Sequence, residues 1–340
     1  MSPRPAPKGV PSSGAVSLRQ ILKSIVFGFG AGEWISTARR RAIQINTFLG
    51  GVFLGGLIAL FVRRLPEGAL DATGVGVIAA IALVITIMYV VHDTIMVKEL
   101  VEKRQVQSDI DLARQIQLRL LPSQLPALDD YSIDVYHEAA RSVGGDAYDV
   151  LRLDDDHVFL TVADVSGKGA AAAVLMSGVL ARMRALARTG MPLNELTARL
   201  SAALDQETEP FHYAAVSIVV LEISTGVMRY VNAGNQPPMV IRTDGSRLDL
   251  KAGGIPVGMM PDVKYTSGQA FLGHGDCLVL TTDGVLDADD TGASLLTEDE
   301  LAEFVKEDRG SLDGVRREVR RRSPEGQFDD ITVLAVRRDA

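Results

Sequence analysis

The 340-residue sequence holds one cysteine, one tryptophan and five histidines, and aromatic residues make up only 5% of it. A lone cysteine excludes an intramolecular disulfide framework. Cys277 stands in the apolar run Cys-Leu-Val-Leu and reads as a small buried thiol, with no glycine-rich phosphate loop or closing arginine beside it to make it a nucleophile. None of His92, His137, His157, His212 and His274 stands at zinc-ligand spacing from another ligand, so each reads as a surface or packing residue. The scarcity of aromatics leaves no base-stacking cluster, which argues against a nucleotide-directed phosphodiesterase. Gly167-Lys-Gly lacks the upstream glycine and the final Ser/Thr of a Walker A loop.

Charge is unevenly spread. The net charge is −8, yet residues 1–41 hold seven Lys/Arg against one acid. The acid excess therefore lies beyond residue 71, and so acidic a region is a poor binder of nucleic acid. No charge at all falls in residues 42–62 or 72–91. At about 1.5 Å per residue each stretch matches a hydrocarbon layer of roughly 30 Å, so two transmembrane helices are expected. A cleaved signal peptide is disfavoured, because the apolar stretch starts late and lacks a small-residue cleavage pattern. Arg39, Arg40 and Arg41 before the first stretch, and Lys98, Lys103 and Arg104 after the second, place both ends in the cytoplasm, against a weaker opposing signal from Arg63 and Arg64. The expectation is a multi-pass protein of the inner or plasma membrane. Gly51 and Gly55 have the spacing that lets two helices approach closely, which suggests a homodimer. Residues 1–17 are rich in Pro, Ser and Gly and read as disordered, and residues 21–35, with Trp34, read as an interfacial stretch.

Residues 94–121 contain neither glycine nor proline and predict a helical stalk that ends at Pro122. Val106, Ile110, Ala113, Gln117 and Leu120 recur at heptad-like spacing, interrupted by the one glutamine. Such a seam fits a dimeric coiled coil, or a helix packed on its own domain. The expected organisation is a basic N-terminal segment (1–41), two membrane spans (42–91), a helical linker (92–122) and a catalytic domain (123–340).

From residue 131 the pattern turns to short β-branched runs: 131–138, 148–153, 158–165, 216–222, 277–282 and 331–336. Ser-Thr-Gly226 and Thr243-Asp-Gly245 read as hairpin turns, and helices are predicted over 170–189, 192–207, 297–307 and 312–322. Helices inserted in blocks between hairpins favour an antiparallel α+β layered fold over a doubly wound parallel sheet.

Four aspartates punctuate this region: Val-Gly-Gly-Asp146, Ala-Asp164-Val-Ser-Gly, Thr-Thr-Asp283-Gly and Phe-Asp329-Asp330-Ile-Thr. One Asp beside Gly is most simply a turn residue. Four at strand ends, with small neighbours that leave room for water, are what hard divalent cations require. The hairpin between Asp146 and Asp164 returns the chain to the same sheet end, so their carboxylates can meet. The Val165 carbonyl can turn toward the same point.

In order along the chain, Ala113-Arg-Gln-Ile-Gln-Leu-Arg-Leu-Leu-Pro122, Val143-Gly-Gly-Asp-Ala-Tyr-Asp149, Ala163-Asp-Val-Ser-Gly-Lys-Gly169, Met176-Ser177, Tyr230-Val-Asn-Ala-Gly234, Pro256-Val-Gly258, Gly275-Asp276, Thr282-Asp-Gly284 and Asp329-Asp-Ile-Thr332 resemble the metal-dependent protein phosphatases of type 2C, in their bacterial stage II sporulation E-like branch. The resemblance covers residues 113–338. It implies a sandwich of two antiparallel β-sheets flanked by helices, with two Mn²⁺ or Mg²⁺ ions at one end. It further implies that Asp164 bridges the ions, Val165 gives its carbonyl, Asp283 and Asp329 complete one ion, and Asp146 serves the other; Asp330 is the substitute for Asp329. Arg141 has the spacing of a phosphate-binding arginine in eukaryotic members, and otherwise reads as a surface arginine. A metal-bound water held by Asp164 and Asp146 would then attack phosphoserine or phosphothreonine of a phosphoprotein, for which the resemblance suggests a phosphorylated anti-sigma-factor antagonist. Two departures stand out: Asn235 where the branch carries histidine, and Asp287 where it carries glutamate, which bears on any third metal site. The alternative is a membrane-tethered scaffold with the same fold and no catalysis.

Overall fold

The computed structural model describes residues 55–56, 59–60, 63–64, 72–140, 143–207, 212–286, 295–324 and 329–339. Its contacts divide between Val106 and Gln107, so the compact unit Gln107–Ala340 takes in part of the expected linker. The expected first span, the N-terminal segment and the glycine pair Gly51/Gly55 lie outside the described residues, apart from Gly55 and a few isolated positions.

Helix α1 runs unbroken over Ala72–Leu120. Nothing in the sequence stops it, since its only glycines, Gly74 and Gly76, sit in the first turns and the next proline is Pro122. Its first half is long and apolar enough to cross a membrane, and none of that stretch is buried. The Thr86 and Thr94 hydroxyls bond back to the carbonyls of Ala82 and Val90 at 2.8 and 2.7 Å, so these polar groups are satisfied within the helix.

Residues from Tyr131 on build a four-layer domain. One sheet has the order β1-β11-β10-β6-β7, with β1 Tyr131–Glu138, β6 Met239–Ile241, β7 Arg247–Asp249, β10 Cys277–Thr281 and β11 Ile331–Arg338. The other has β2 Asp146–Arg152, β3 His157–Val165, β4 Ala214–Glu222, β5 Val227–Ala233 and β8 Gly253–Gly254, with β9 Gly268–Phe271 also on β5. Helices α2 (Ala170–Ala187) and α3 (Leu193–Glu207) cover the second sheet; α4 (Glu298–Glu307) and α5 (Asp313–Arg322) cover the first. Pairing is antiparallel, as expected, except that β8 runs parallel to β5 for two residues. That exception depends on glycine, because a Cβ at Gly253 would overlap the Asn232 carbonyl.

The strand β3 shows why the sequence reads as an apolar run rather than a clean alternation. Phe159 and Ala163 face the helices, while Val158, Leu160 and Val162 face the other sheet, and all five are at most 1% exposed. Each such large side chain contributes about 1.5–3 kcal/mol of burial. Although α2 is also long and apolar enough to span a membrane, its Ala172, Met176, Val179, Leu180, Met183 and Ala187 recur at helical spacing and pack in this core.

Candidate metal centre

The β2–β3 hairpin sets Asp146 directly opposite Asp164 at the end of the second sheet. Strand β10 ends where β11 begins, so Asp283, which opens a short 3₁₀ turn over Asp283–Val285, comes to the same end as Asp329 and Asp330. Two threonines tie the sheets together there. Thr282 Oγ1 and Thr332 Oγ1 each donate to Asp146 Oδ2 at 2.7 Å, and Thr332 N donates to Thr282 Oγ1 at 3.0 Å.

Four of the acids expected from sequence, Asp146, Asp164, Asp283 and Asp329, are thus brought together, with Asp330 beside them. Electrostatics records the convergence. The Asp164 carboxyl is pushed up to about 7, first by burial and then by the charges of Asp283, Asp329 and Asp330. Asp146, 1% exposed, is held well above the carboxylate range by burial and by Asp164, against which the two threonine hydroxyls pull down. Desolvated acids of one sign repel, and divalent cations remove that cost.

The donor chemistry fits hard cations: carboxylates and one carbonyl around a glycine. A Cβ at Gly145 would lie 2.9 Å from Val165 O and 3.3 Å from Asp164 Oδ1, so both oxygens border the space that this glycine keeps open. Among the described residues, however, no three acidic, histidine or cysteine side chains are gathered around one point. The oxygens of Asp146, Asp329 and Asp330 are turned instead to Thr282, Thr332, Lys168 and backbone amides. Asp330 is the clearest case. Its Oδ1 accepts from Ala140 N at 2.8 Å and its Oδ2 from Gly145 N, so both oxygens brace the loop before Asp146. Asp329 is more exposed, and its Oδ2 accepts from Lys168 Nζ at 2.8 Å. Arg141 and Asp287 lie outside the described residues.

Several contributors had no individual signal in the sequence. His137, read as a packing residue, sits with Nδ1 2.9 Å from Thr332 Oγ1. Because that hydroxyl gives its hydrogen to Asp146, the histidine must donate through Nδ1, and burial lowers its pKa toward the neutral form. Asn235 donates to Ser217 Oγ at 3.1 Å, while its carbonyl accepts from Asn232 Nδ2 at 2.9 Å. It therefore closes a local polar cluster with the chain's own residues.

Gln117 interrupts the apolar seam for a reason internal to the domain. Its amide is buried and bonds Gly144 twice, giving Nε2–H to the carbonyl at 2.6 Å and accepting from the amide at 3.2 Å. Three residues on, Arg184 caps the Leu120 carbonyl at 2.7 Å and pairs with the buried Asp149 at 2.6 Å. Gln117 and Leu120 of the expected seam thus pack on the chain's own domain, whereas Val106 is 57% exposed. Gln117→Ala is expected to leave both Gly144 groups unpaired and to cost about 1–3 kcal/mol in urea unfolding, with weaker Mn²⁺ uptake. Unchanged stability and uptake would mean that the clamp carries nothing.

The model of the family "Stage II sporulation protein E (SpoIIE)" matches residues 154–339, more than half of the chain, and takes in Asp164, Asp283 and Asp329 but not Asp146. The chain is 29% identical over 273 residues to Protein IcfG of Synechocystis, covering 68% of this chain and 42% of IcfG. It is 26% identical over 206 residues to the phosphoserine phosphatase RsbU of Bacillus subtilis, covering 60% of this chain and 61% of RsbU. The chain therefore spans less than two thirds of either relative's length. In fold it is similar to the PP2C phosphatase domain of Bacillus subtilis SpoIIE solved with a fragment of its regulatory domain, with a TM-score of 0.54 at 20% identity over 62% of each chain. The two-sheet domain with its acidic end and the match along its length lead to one assignment: the chain belongs to the SpoIIE family of PP2C-type phosphatase domains.

Proposed function

We propose that this chain is a membrane-anchored serine/threonine phosphoprotein phosphatase that works with two Mn²⁺ or Mg²⁺ ions. The observation that carries the reading is the meeting of Asp146, Asp164, Asp283 and Asp329 from both sheets at one end of the sandwich. Asp164 would serve both ions, the Val165 carbonyl would add a further oxygen, Asp283 and Asp329 would hold one ion, and Asp146 the other. Such ions would neutralise phosphate oxygens and lower the pKa of a water, so that hydroxide is available to attack phosphorus at neutral pH. The chain's own part is to keep Asp146 fixed through Thr282 and Thr332, to brace the preceding loop through Asp330, and to leave room at Gly145. RsbU, a phosphoserine phosphatase, supports a phosphoserine or phosphothreonine substrate, and a phosphorylated anti-sigma-factor antagonist is the partner we favour. Residues 72–91 would cross the membrane after a first span at 42–62, with the catalytic domain in the cytoplasm. Homodimerisation would use Gly51/Gly55 and the exposed start of the seam at Val106.

The full chain, purified in detergent, is expected to release phosphate from a phosphoserine protein with Mn²⁺ and to stop on chelation; turnover that persists in chelator would end this reading. The same protein should show a definite pH dependence. Asp164 titrates at about 7 instead of near 4. Its contribution to the stability of the ion-free protein is therefore present below pH ~4 and lost as pH rises through 7. Cations bind the ionised form. Apparent Mn²⁺ affinity should accordingly fall by up to about tenfold for each pH unit below 7, read as the shift in melting temperature at fixed Mn²⁺.

A further inference from the structure

We propose, resting on the phosphatase reading, that Lys168 binds the phosphate of the substrate, from a position where its ammonium also competes with a divalent cation for Asp329. The residue lies in the turn that carries β3 into α2. It is flanked by Gly167 at φ +97° and Gly169 at φ +78°, and neither glycine has an atom within 4 Å of where a Cβ would stand. The turn is therefore open to an incoming group on both sides. The Lys168 Nζ stands 2.8 Å from Asp329 Oδ2, with the two side chains 42% and 36% exposed, so the ammonium is at the solvent edge of the acidic cluster rather than beneath it.

Charge argues for a ligand there. Asp146, Asp164, Asp283, Asp329 and Asp330 together carry up to five negative charges, two divalent cations return four, and a phosphomonoester brings about two more. An added cation at the rim lowers the cost of that approach, and lysine serves as a point charge for phosphate. Lys168 leads into the N-terminus of α2, an 18-residue helix whose Gly169 N-cap offers no side-chain bond to the first amides. The positive end of that helix begins two residues after Lys168 and favours an anion there. Asp329 Oδ2 cannot keep its bond from Lys168 and give the same lone pair to a cation. A cation that takes that lone pair would displace the ammonium and leave its charge to the substrate phosphate.

The test uses the full chain, Lys168→Gln and Lys168→Arg, with circular dichroism to establish folding. Inorganic phosphate titrated onto the Mn²⁺-loaded proteins by calorimetry, and KM for a phosphoserine peptide, should both weaken by about tenfold in Lys168→Gln, with kcat changed less. Lys168→Arg should recover most of the loss. Mn²⁺ titrated alone should bind Lys168→Gln as tightly as, or more tightly than, the unaltered chain. Phosphate binding that is equal in all three proteins would overturn the proposal. So would Mn²⁺ affinity that falls in Lys168→Gln, since the lysine would then be a support for Asp329. An unaltered chain that binds Mn²⁺ and phosphate yet hydrolyses nothing would end the phosphatase reading and leave the role of Lys168 in phosphate binding standing.

Discussion

Asp164→Asn is expected to lower kcat by on the order of a thousandfold while making the protein more stable in chelator. The two effects have one origin. Asp164 is the carboxylate on which burial and the charges of Asp283, Asp329 and Asp330 all act, and they hold it at about 7. At pH 8 the side chain is ionised against that field, at a cost on the order of 4 kcal/mol. Asparagine keeps the shape and drops the charge, so melting in chelator should rise. The same change removes the carboxylate proposed to hold both cations, and the rise in melting temperature on adding Mn²⁺ should largely vanish. Phosphate release and thermal melts with and without Mn²⁺ check both signs. A variant that is less stable in chelator yet fully active would show that this carboxylate is structural.

Much of the fold could be read from the residues because the physics that formed it is local. Strand β3 has both faces buried, so its β-branched run stood out, and the hairpins at Gly226 and Gly245 need the positive φ that glycine supplies. The strands β8 and β9 left no such trace. Gly253–Gly254 has no side chains to pattern, and Gly268–Phe271 is a half-exposed edge. In the site, the acids were visible because each has a glycine or another acid within three residues. Their supports were not visible, since Thr282 and Thr332 reach Asp146 across 136 and 186 residues of chain. Neighbouring acids also look alike in a sequence. Only the backbone amides of Ala140 and Gly145 mark Asp330 as the brace and leave Asp329 as the more open of the two. Helical periodicity is equally blind to what lies opposite a face. The seam that suggested a partner helix contains Gln117, whose partner is Gly144 of the same chain.

Gly284→Ala is expected to cost activity about a hundredfold in a protein that still folds. Gly284 is buried in the turn Asp283–Val285, and an added Cβ would fall on the Asp330 carbonyl oxygen. That neighbour is backbone and cannot swing aside. Thr282 N donates to the Thr332 carbonyl at 3.0 Å, and Thr332 N to Thr282 Oγ1 at 3.0 Å, so the two strand ends are tied twice within two residues of the clash. Relief requires β10 and β11 to part at their ends, at about 1–3 kcal/mol, and a lowering of the melting temperature by several degrees. Function suffers more than stability because Asp283 rides on one of those ends and Asp329 on the other. A displacement near 1 Å between groups proposed to share a cation is enough for about a hundredfold. Gly178→Ala supplies the contrast, as the same methyl group in mid-α2 meets only the tip of Arg182 at 3.0 Å, a flexible side chain. There the gain in helix propensity, up to about 1 kcal/mol, should leave stability equal or higher and turnover intact. Equal activity in the two variants would show that the ends of β10 and β11 do not set the spacing of the centre.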